Sequence, residues 1–230
     1  MIQFITNKTI PNSVLENLST YGQLILLETK EIVYPAISNH PDIFCCLVDE
    51  KLIVAPNLPE TIKQQLADSG INFREGIKKL EDKYPNTAIY NVVVTDSFLI
   101  GNQNVMDESL LDLASTRKFI QVNQAYTRCN LLPLPGERFI TSDGGIYKQL
   151  KNNNLDVLFV NPEGIVLKGF KNGFFGGCCG VYGNTVFIAG SLNNFLEGEN
   201  VRGFLSDMKI VELYNGPLLD VGSILIIGHK

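Results

Sequence analysis

Nine polar side chains of this chain stand at or beside the starts of short apolar runs. Cysteine thiolates are nucleophiles, histidine transfers protons near neutral pH, and carboxylates bind cations through paired hydrogen bonds. The set includes all three types, with one arginine and three neutral polar residues: His40, Asp42, Asn91, Arg128, Asn130, Cys178, Cys179, Asp220 and Ser223. The chain therefore holds the residue types of nucleophilic and acid–base chemistry, provided that the fold brings them together.

Two pairs within this set have the spacing of neighbours on a strand. Side chains two residues apart on a β-strand point to the same face. On that basis His40 is expected to act with Asp42. Arg128 and Asn130 have the same spacing and form the second predicted pair.

One apolar phrase, ending in small or turn-forming residues and in most copies an Asn or Asp, recurs along the chain. The copies occupy residues 4–7, 52–57, 98–102, 139–143 and 187–191. A period of roughly 40–50 residues indicates supersecondary units that bury their apolar faces only by stacking on their neighbours. The sequence therefore predicts five similar pieces in an array or ring.

Each copy of the phrase is followed by a predicted helix, and most of these helices are followed by another apolar run. The helices are expected over residues 11–18, 58–69, 106–115, 145–151 and 200–207. The strands that follow them are expected over residues 24–27, 119–122, 157–160 and 210–213. A further strand leads into four of the phrases, over residues 43–48, 90–94, 129–134 and 177–182. The repeating unit is therefore strand, strand, helix, strand, and the fold class is α/β.

The two ends of the chain are predicted to complete one unit together. The first phrase lacks a leading strand, whereas residues 218–227 are predicted to form a leading strand that no further phrase follows. Pairing of residues 218–227 with the first phrase would close the ring and remove exposed sheet edges. Residues 74–85, charged and with helical spacing, are interpreted as an insertion. We predict one domain over residues 1–230, with units of about 218–228 plus 2–28, 40–73, 89–122, 127–161 and 174–214.

Composition argues against several classes of function. A formal charge of −5, with 19 basic residues scattered along the chain, leaves no cationic stripe for direct nucleic-acid binding. No run approaches the roughly 20 apolar residues of a membrane span, and the first residues do not resemble a secretion signal. The five cysteines include two vicinal pairs, a layout that suits neither disulfides nor C-x-x-C zinc sites. We therefore predict a cytoplasmic protein with reduced thiols, no metal, no cofactor and no membrane contact, of undetermined oligomeric state.

Five short motifs, spread over about residues 38–228, are fairly specific as a set. They are Tyr84-Pro85-Asn86, Tyr126-Thr127-Arg128-Cys129-Asn130, Ile140-Thr141-Ser142-Asp143-Gly144-Gly145-Ile146, Gly173-Phe174-Phe175-Gly176-Gly177 with Gly180, and Asp220-Val221-Gly222-Ser223. Together they resemble a bacterial family of unknown function with the pentein, or guanidino-group-modifying-enzyme, fold. More distantly, the five-unit pattern resembles arginine deiminases, dimethylarginine dimethylaminohydrolases, amidinotransferases and ribosome anti-association factors. The resemblance implies an α/β propeller around a pseudo-fivefold axis.

This resemblance also implies a position and a chemistry for the polar residues. In a pentein the leading strands line the central axis, and the enzymes of this fold attack a guanidinium carbon with a thiolate while histidine transfers protons. By resemblance Cys178 or Cys179 would be the nucleophile, with His40 as the proton shuttle. Asp42 and Asp220 would hold the cationic substrate. The remaining candidates for substrate binding are Arg128, Asn130, Asn91 and Ser223.

The same residues also have structural interpretations. In a glycine-flanked apolar strand, a cysteine is more often a small buried hydrophobic residue than a nucleophile, and Cys178 and Cys179 fit that description. Residues 39–42 fit a simple turn, and Asp220 fits a residue that only closes the ring. Arg128 either anchors an anionic ligand or neutralises buried carboxylates on the axis. The other three cysteines are expected in the core: Cys45, Cys46 and Cys129.

Three functions remain open at this level. The first is a small thiol-dependent amidino hydrolase or transferase that acts on a small guanidino compound. The second is a non-catalytic module that engages a protein or ribonucleoprotein partner, for which the acidic charge argues against direct RNA contact only. The third is a sensor that binds a small ligand in the axial pocket.

Overall fold

The computed structural model describes residues 2–228, so Met1, His229 and Lys230 lie outside the described residues. Its strands form five sheets of three strands each. In every sheet the middle strand pairs antiparallel with the strand that leads the unit, and parallel with the strand that follows the helix. The predicted strand, strand, helix, strand unit is therefore confirmed.

The middle strands are formed by the recurring apolar phrases. They are β1 (Ile2–Asn7), β4 (Lys51–Val54), β7 (Phe98–Gly101), β10 (Arg138–Thr141) and β13 (Thr185–Ile188). The leading strands are β15 (Leu225–Gly228), β3 (Cys45–Val48), β6 (Val93–Val94), β9 (Leu131–Leu134) and β12 (Cys179–Tyr182). The strands that follow the helices are β2 (Gln23–Leu27), β5 (Phe73–Glu75), β8 (Lys118–Gln121), β11 (Asp156–Phe159) and β14 (Lys209–Glu212).

A helix joins the middle strand of each unit to the strand that follows. These helices are α1 (Asn12–Ser19), α3 (Glu60–Asp68), α4 (Glu108–Leu113), α6 (Gly144–Asn152) and α7 (Gly198–Phe204). The side chains of Asp107 and Asp143 cap α4 and α6, because each accepts a hydrogen bond from an otherwise unpaired backbone N–H of the first turn. Residues four apart, such as Val14 and Leu18 of α1, are buried on one face, as expected of helices that cover a sheet.

All five leading strands begin later than the sequence suggests, and a short helical turn precedes three of them. The turns are α2 (Pro41–Phe44), α5 (Thr127–Asn130) and the 3₁₀ turn Gly176–Cys178. His40 and Asp42 therefore do not share the face of a strand. The same correction applies to Arg128 and Asn130, which lie together in α5.

The charged segment after the second unit is not helical. Its first residues belong to β5, which pairs parallel with β4 and completes the second sheet. Beyond β5 the Asp107 carboxylate accepts hydrogen bonds from the backbone N–H groups of Ile77 (2.9 Å) and Lys78 (2.6 Å). These contacts and a hydrogen bond from the Tyr90 hydroxyl to the Lys78 carbonyl hold the chain in turns, which sequence spacing alone does not reveal.

The ring is closed by pairing between the two ends of the described chain. Strand β15 pairs antiparallel with β1, with Phe4 opposite Ile226. Residues of all five leading strands contribute to the wall of one narrow cavity of about 130 Å³, here called the axial cavity, which marks the centre of the ring. The predicted closure by the terminal strands is confirmed. Within residues 2–228, no helix has the length and apolar character needed to cross a membrane.

Candidate functional site

The polar residues singled out from the sequence do not form one site. His40 and Asp220 line a second small cavity of about 80 Å³, here called the His40 cavity, together with Cys129. Arg128 lines the axial cavity instead, and the two cavities have no lining residue in common. The structure therefore separates Arg128 from the residues with which it was expected to bind substrate.

Two loops form the mouth of the His40 cavity, and they follow β2 and β11, the last strands of their units. Residues 28–40 contribute Tyr34, and residues 161–175 contribute Phe170, whose ring centroid lies 5.9 Å from that of Tyr34. The Tyr34 hydroxyl is 3.0 Å from the Tyr126 hydroxyl, which is 2.5 Å from Thr87 Oγ1. The entrance is therefore aromatic, and hydrogen bonds hold its tyrosines in place.

Cys129 is the site residue that sequence reasoning missed. It was expected in the core, and it is indeed only 3% exposed, but it also lines the His40 cavity. Its sulfur lies 3.2 Å from Oδ2 of Asp42, and Nδ2 of Asn91 donates to the same sulfur at 3.0 Å. The Cys129 backbone N–H donates to Oδ1 of Asn91 at 3.1 Å, so one amide side chain orients both the backbone and the thiol.

Asp42 lies behind the thiol and is fully buried. Its Oδ2 accepts a hydrogen bond from the Ser223 hydroxyl at 2.5 Å as well as the one from Cys129. Its Oδ1 has no partner among residues 2–228. Ser223 reaches it from a left-handed backbone conformation with φ of 66°, a strained conformation for a residue with a side chain.

His40 and Asp220 face each other across the polar end of the cavity. Nδ1 of His40 lies 3.8 Å from Oδ1 of Asp220, too far for a hydrogen bond, and has no partner within residues 2–228. The Asp220 carboxylate accepts hydrogen bonds from the backbone N–H groups of Phe174 (2.9 Å) and Gly222 (3.1 Å). Burial raises the pKa of Asp220 to about 6. The charge of His40 acts to lower this pKa, and the charge of Asp42 acts to raise it.

Glycines make this close arrangement possible. A Cβ at Gly177 would lie 2.1 Å from Oδ1 of Asp220, and a Cβ at Gly222 would lie 2.2 Å from Cβ of His40. Gly222 also has φ of 73°, which favours glycine independently of the contact. The glycines of the two motifs around residues 173–177 and 220–223 thus let the carboxylate and the imidazole approach the chain.

The surroundings of Cys129 favour the protonated thiol. Burial raises its pKa well above the ordinary value, and the charges of Asp42 and Asp220 raise it further. The hydrogen bond from Asn91 acts in the opposite direction but is the smaller effect. A positive charge that enters its surroundings would lower this pKa and favour the thiolate.

Cys178 and Cys179 lie in the apolar core rather than at this cavity. The sulfur of Cys178 donates to the carbonyl of Phe174 at 3.3 Å, and both cysteines pack in one hydrophobic cluster. Neither lines the His40 cavity, and no hydrogen bond within residues 2–228 joins either to His40. Burial raises the pKa of Cys179 to about 12. The pairing of these thiols with His40 expected by resemblance is therefore not formed, and Cys129 takes their place as the candidate nucleophile.

The two asparagines of the predicted set differ in what they contact. Asn91 bridges the site, because its Nδ2 also donates to the carbonyl of Asp42 at 3.0 Å. Asn130 donates to the carbonyl of Tyr126 at 2.9 Å and accepts from Ser142 Oγ at 3.2 Å, so it fixes the turn α5. Asn130 does not line the His40 cavity.

A comparison with protein families matches a family of unknown function, DUF6873, over residues 5–225. The chain belongs to this family. A search of curated proteins finds no match to the sequence.

Solved structures with similar architecture are guanidino-modifying enzymes. DDAH from Pseudomonas aeruginosa, complexed with citrulline, has a TM-score of 0.53 at 8% identity, covering 91% of each chain. The amidinotransferase SxtG from Microseira wollei has a TM-score of 0.52 at 11% identity, covering 95% of this chain and 93% of its own. The cyanobacterial arginine dihydrolase ArgZ has a TM-score of 0.55 at 8% identity, and this DUF6873 chain spans 36% of its length. These likenesses establish the predicted pentein fold.

The observed arrangement has the parts of a thiol site for a cation. It combines a buried thiol, an imidazole with a free nitrogen and a carboxylate at one small cavity that no lysine or arginine lines. Within residues 2–228, no cluster of three or more His, Cys, Asp or Glu side chains has the arrangement of a metal site. The residues present suit acid–base and nucleophilic chemistry on a small planar cation.

Proposed function

We propose that this protein is a thiol-dependent hydrolase or transferase that acts on the amidino group of a small guanidino compound. The proposal rests on the meeting of Cys129, His40 and Asp220 at one cavity, from three units that are far apart in the chain. Cys129 is the nucleophile, replacing Cys178 and Cys179 in the sequence-based hypothesis. The fold of DDAH, SxtG and ArgZ supports the choice of a guanidino compound without deciding it.

Charge supports a cationic ligand. The His40 cavity is lined by the Asp220 carboxylate, and a second buried carboxylate, Asp42, lies directly behind the Cys129 thiol. Buried negative charge is unfavourable unless it is compensated, and a guanidinium or amidinium supplies both the compensating charge and several N–H donors. The Asp220 carboxylate is the group available to orient it, and the free Nδ1 of His40 is available for proton transfer.

Size supports a small planar group. A cavity of about 80 Å³ is well below the 300–1,000 Å³ typical of pockets for drug-sized ligands. It therefore accepts the head of a molecule, while the rest of the ligand projects past Tyr34 and Phe170. Aromatic rings beside a cation contribute roughly 0.5–2 kcal/mol to its binding.

The chemical steps use groups of the site that can give or take a proton. A cation beside Asp220 lowers the pKa of the Cys129 thiol, whose proton passes to Oδ2 of Asp42. The thiolate sulfur forms a bond to the guanidinium carbon. Protonated His40 then gives a proton to the departing amine, and the C–N bond to that amine breaks. Neutral His40 then deprotonates a water or an acceptor amine, which attacks the amidino carbon. The S–C bond breaks, and the Cys129 thiolate takes its proton back from Asp42. A urea product formed with water gives its extra proton to solvent, whereas a guanidinium product formed with an amine keeps its charge.

Alkylation by 2-chloroacetamidine tests this proposal, with neutral 2-chloroacetamide as the matched reagent. We expect the cationic amidine to label the native protein once, at Cys129, at least about tenfold faster than the amide, because a charge-assisted hydrogen bond contributes about 1.5–3 kcal/mol. Cys129→Ala should abolish the fast labelling, and Cys178→Ala should retain it. Equal rates for the two reagents, or fast labelling confined to Cys178 or Cys179, would contradict the proposal.

A sensor that binds the cation without turnover is the second candidate. The observation in its favour is the raised pKa of Cys129, whose thiol donates to Asp42. Such a protein would show saturable thermal stabilisation by methylguanidine, lost in Asp220→Asn, but no labelling of Cys129 by 2-chloroacetamidine. The labelling experiment therefore decides between the two.

A further inference from the structure

Arg128 carries a positive charge into the axial cavity without an acidic partner. A guanidinium has five N–H groups. Three hydrogen bonds from Arg128 are formed, all to main-chain carbonyls: those of Leu131 (3.5 Å), Gly176 (2.9 Å) and Cys179 (3.2 Å). No carboxylate of residues 2–228 lies within 4.0 Å of this guanidinium, so its charge is not balanced by direct contact.

Apart from Arg128, the side chains that line this cavity are apolar or only weakly polar, while main-chain groups add polar surface to its wall. These are valine, isoleucine, leucine, proline and cysteine side chains from the five leading strands, including Cys46 and Val181. Its volume is about 130 Å³, enough for a small ion together with ordered water. It is separate from the His40 cavity, so a ligand here does not occupy the proposed reaction site.

A charge in such surroundings is unfavourable unless it is compensated. Burial lowers the pKa of Arg128, and the more distant Asp42 opposes that change without touching the guanidinium. Arginine nonetheless stays protonated at any ordinary pH. Two of its five N–H groups have no acceptor among the described residues, which leaves donors as well as charge for a ligand in the cavity.

We propose that the axial cavity is a binding site for a small monovalent anion, of the size of chloride, held by Arg128. One positive charge matches one negative charge, and the apolar side chains around Arg128 favour an ion that gives up its water easily over a multiply charged one. The site lies at the centre of the ring, where one ion would be in reach of all five leading strands. It does not depend on the function proposed for the His40 cavity.

Bromide, a heavier substitute for chloride, tests this site in the whole protein. We expect anomalous diffraction from crystals in sodium bromide to show an ion in the axial cavity, in contact with the Arg128 guanidinium. In solution, sodium chloride should raise the unfolding temperature saturably relative to sodium gluconate at equal ionic strength. Arg128→Met should lose that difference, whereas Arg138→Met, which removes an arginine paired with exposed Asp207, should keep it.

Val181→Phe provides a second variant if Arg128→Met does not fold. This change fills the cavity but keeps the arginine, so it should weaken chloride binding at least tenfold. An axial cavity without bromide would overturn the proposal. So would an unchanged chloride response in whichever of the two variants folds.

Discussion

The sulfur of Cys129 lies 3.2 Å from Oδ2 of Asp42, although 87 positions separate the two residues in the chain. Asp42 lies in the turn before β3 and Cys129 in the turn before β9, two leading strands that are not consecutive. Asn91, just before the intervening β6, donates to both of them. This contact across the axis exists because the ring brings the starts of its leading strands together.

The hydrogen bond from Ser223 to Asp42 should be measurable as stability. Ser223→Ala removes a hydrogen bond to a buried charged group and should lower the free energy of unfolding by about 2 kcal/mol in urea titrations. Ser223→Gly removes the same hydroxyl but relieves the left-handed conformation, by about 1 kcal/mol. The alanine variant should therefore be the less stable of the two. Equal stability would show that the backbone at Ser223 is unstrained.

The raised pKa of Asp220 makes stability depend on pH. A carboxyl group with a higher pKa in the folded state holds its proton more tightly there, so its contribution is complete below pH 3.8 and declines as pH rises through about 6. The amide side chain of the Asp220→Asn variant does not titrate in this pH range. From pH 4 to pH 7 the variant should become more stable relative to the wild type, by at most about 3 kcal/mol at 1.36 kcal/mol per pH unit. A difference between the two proteins that is constant over this range would show that Asp220 titrates normally.

Gly222 should tolerate no side chain, because of its contact with His40. Gly222→Ala would place Cβ 2.2 Å from Cβ of His40. Gly70 has almost the same φ, 72° against 73°, and nothing within 4 Å, so Gly70→Ala is the matched control for backbone strain alone. The control should lose roughly 1–2 kcal/mol. Gly222→Ala should lose more and also lose reactivity with 2-chloroacetamidine; similar losses of stability in the two variants would argue against the contact.

The charge of Asp42 should control the reactivity of the thiol. Asp42→Asn removes the charge nearest to Cys129 and should lower the pKa of its thiol. The rate of alkylation at Cys129 by neutral iodoacetamide should then rise at a lower pH than in the wild type. Asp207→Asn, which changes an exposed carboxylate, should leave the pH profile unchanged. A profile for Asp42→Asn that matches the wild type would mean that the thiol does not sense this carboxylate.

The architecture could be predicted because its signals are long and repeated. Middle strands such as β4 and β13 come from the recurring phrases, and the first and last strands are the two halves of an incomplete unit. Strand β5 was missed because three residues, two of them exposed, have no apolar pattern. Its pairing with β4, rather than any local preference, makes it a strand.

The site was harder to predict because it depends on turns of three or four residues. Turns such as α5 are too short for a helical period, and they change which side chains face the axis. In the structure Asn91, Cys129 and Ser223 each stand two residues before a leading strand. The leading strands expected from the sequence begin earlier and by different amounts, so they hide this equivalence. The burial of Cys45, Cys46 and Cys129 was predictable from the sequence, and burial raises the pKa of all five cysteines.

A crystal structure of the protein after reaction with 2-chloroacetamidine tests the central claim most directly. The account predicts continuous density from the sulfur of Cys129 to the reagent, with the amidinium in the His40 cavity and its N–H groups within hydrogen-bond distance of the Asp220 carboxylate. An adduct on Cys178 or Cys179, or an unmodified Cys129 beside an empty cavity, would contradict it.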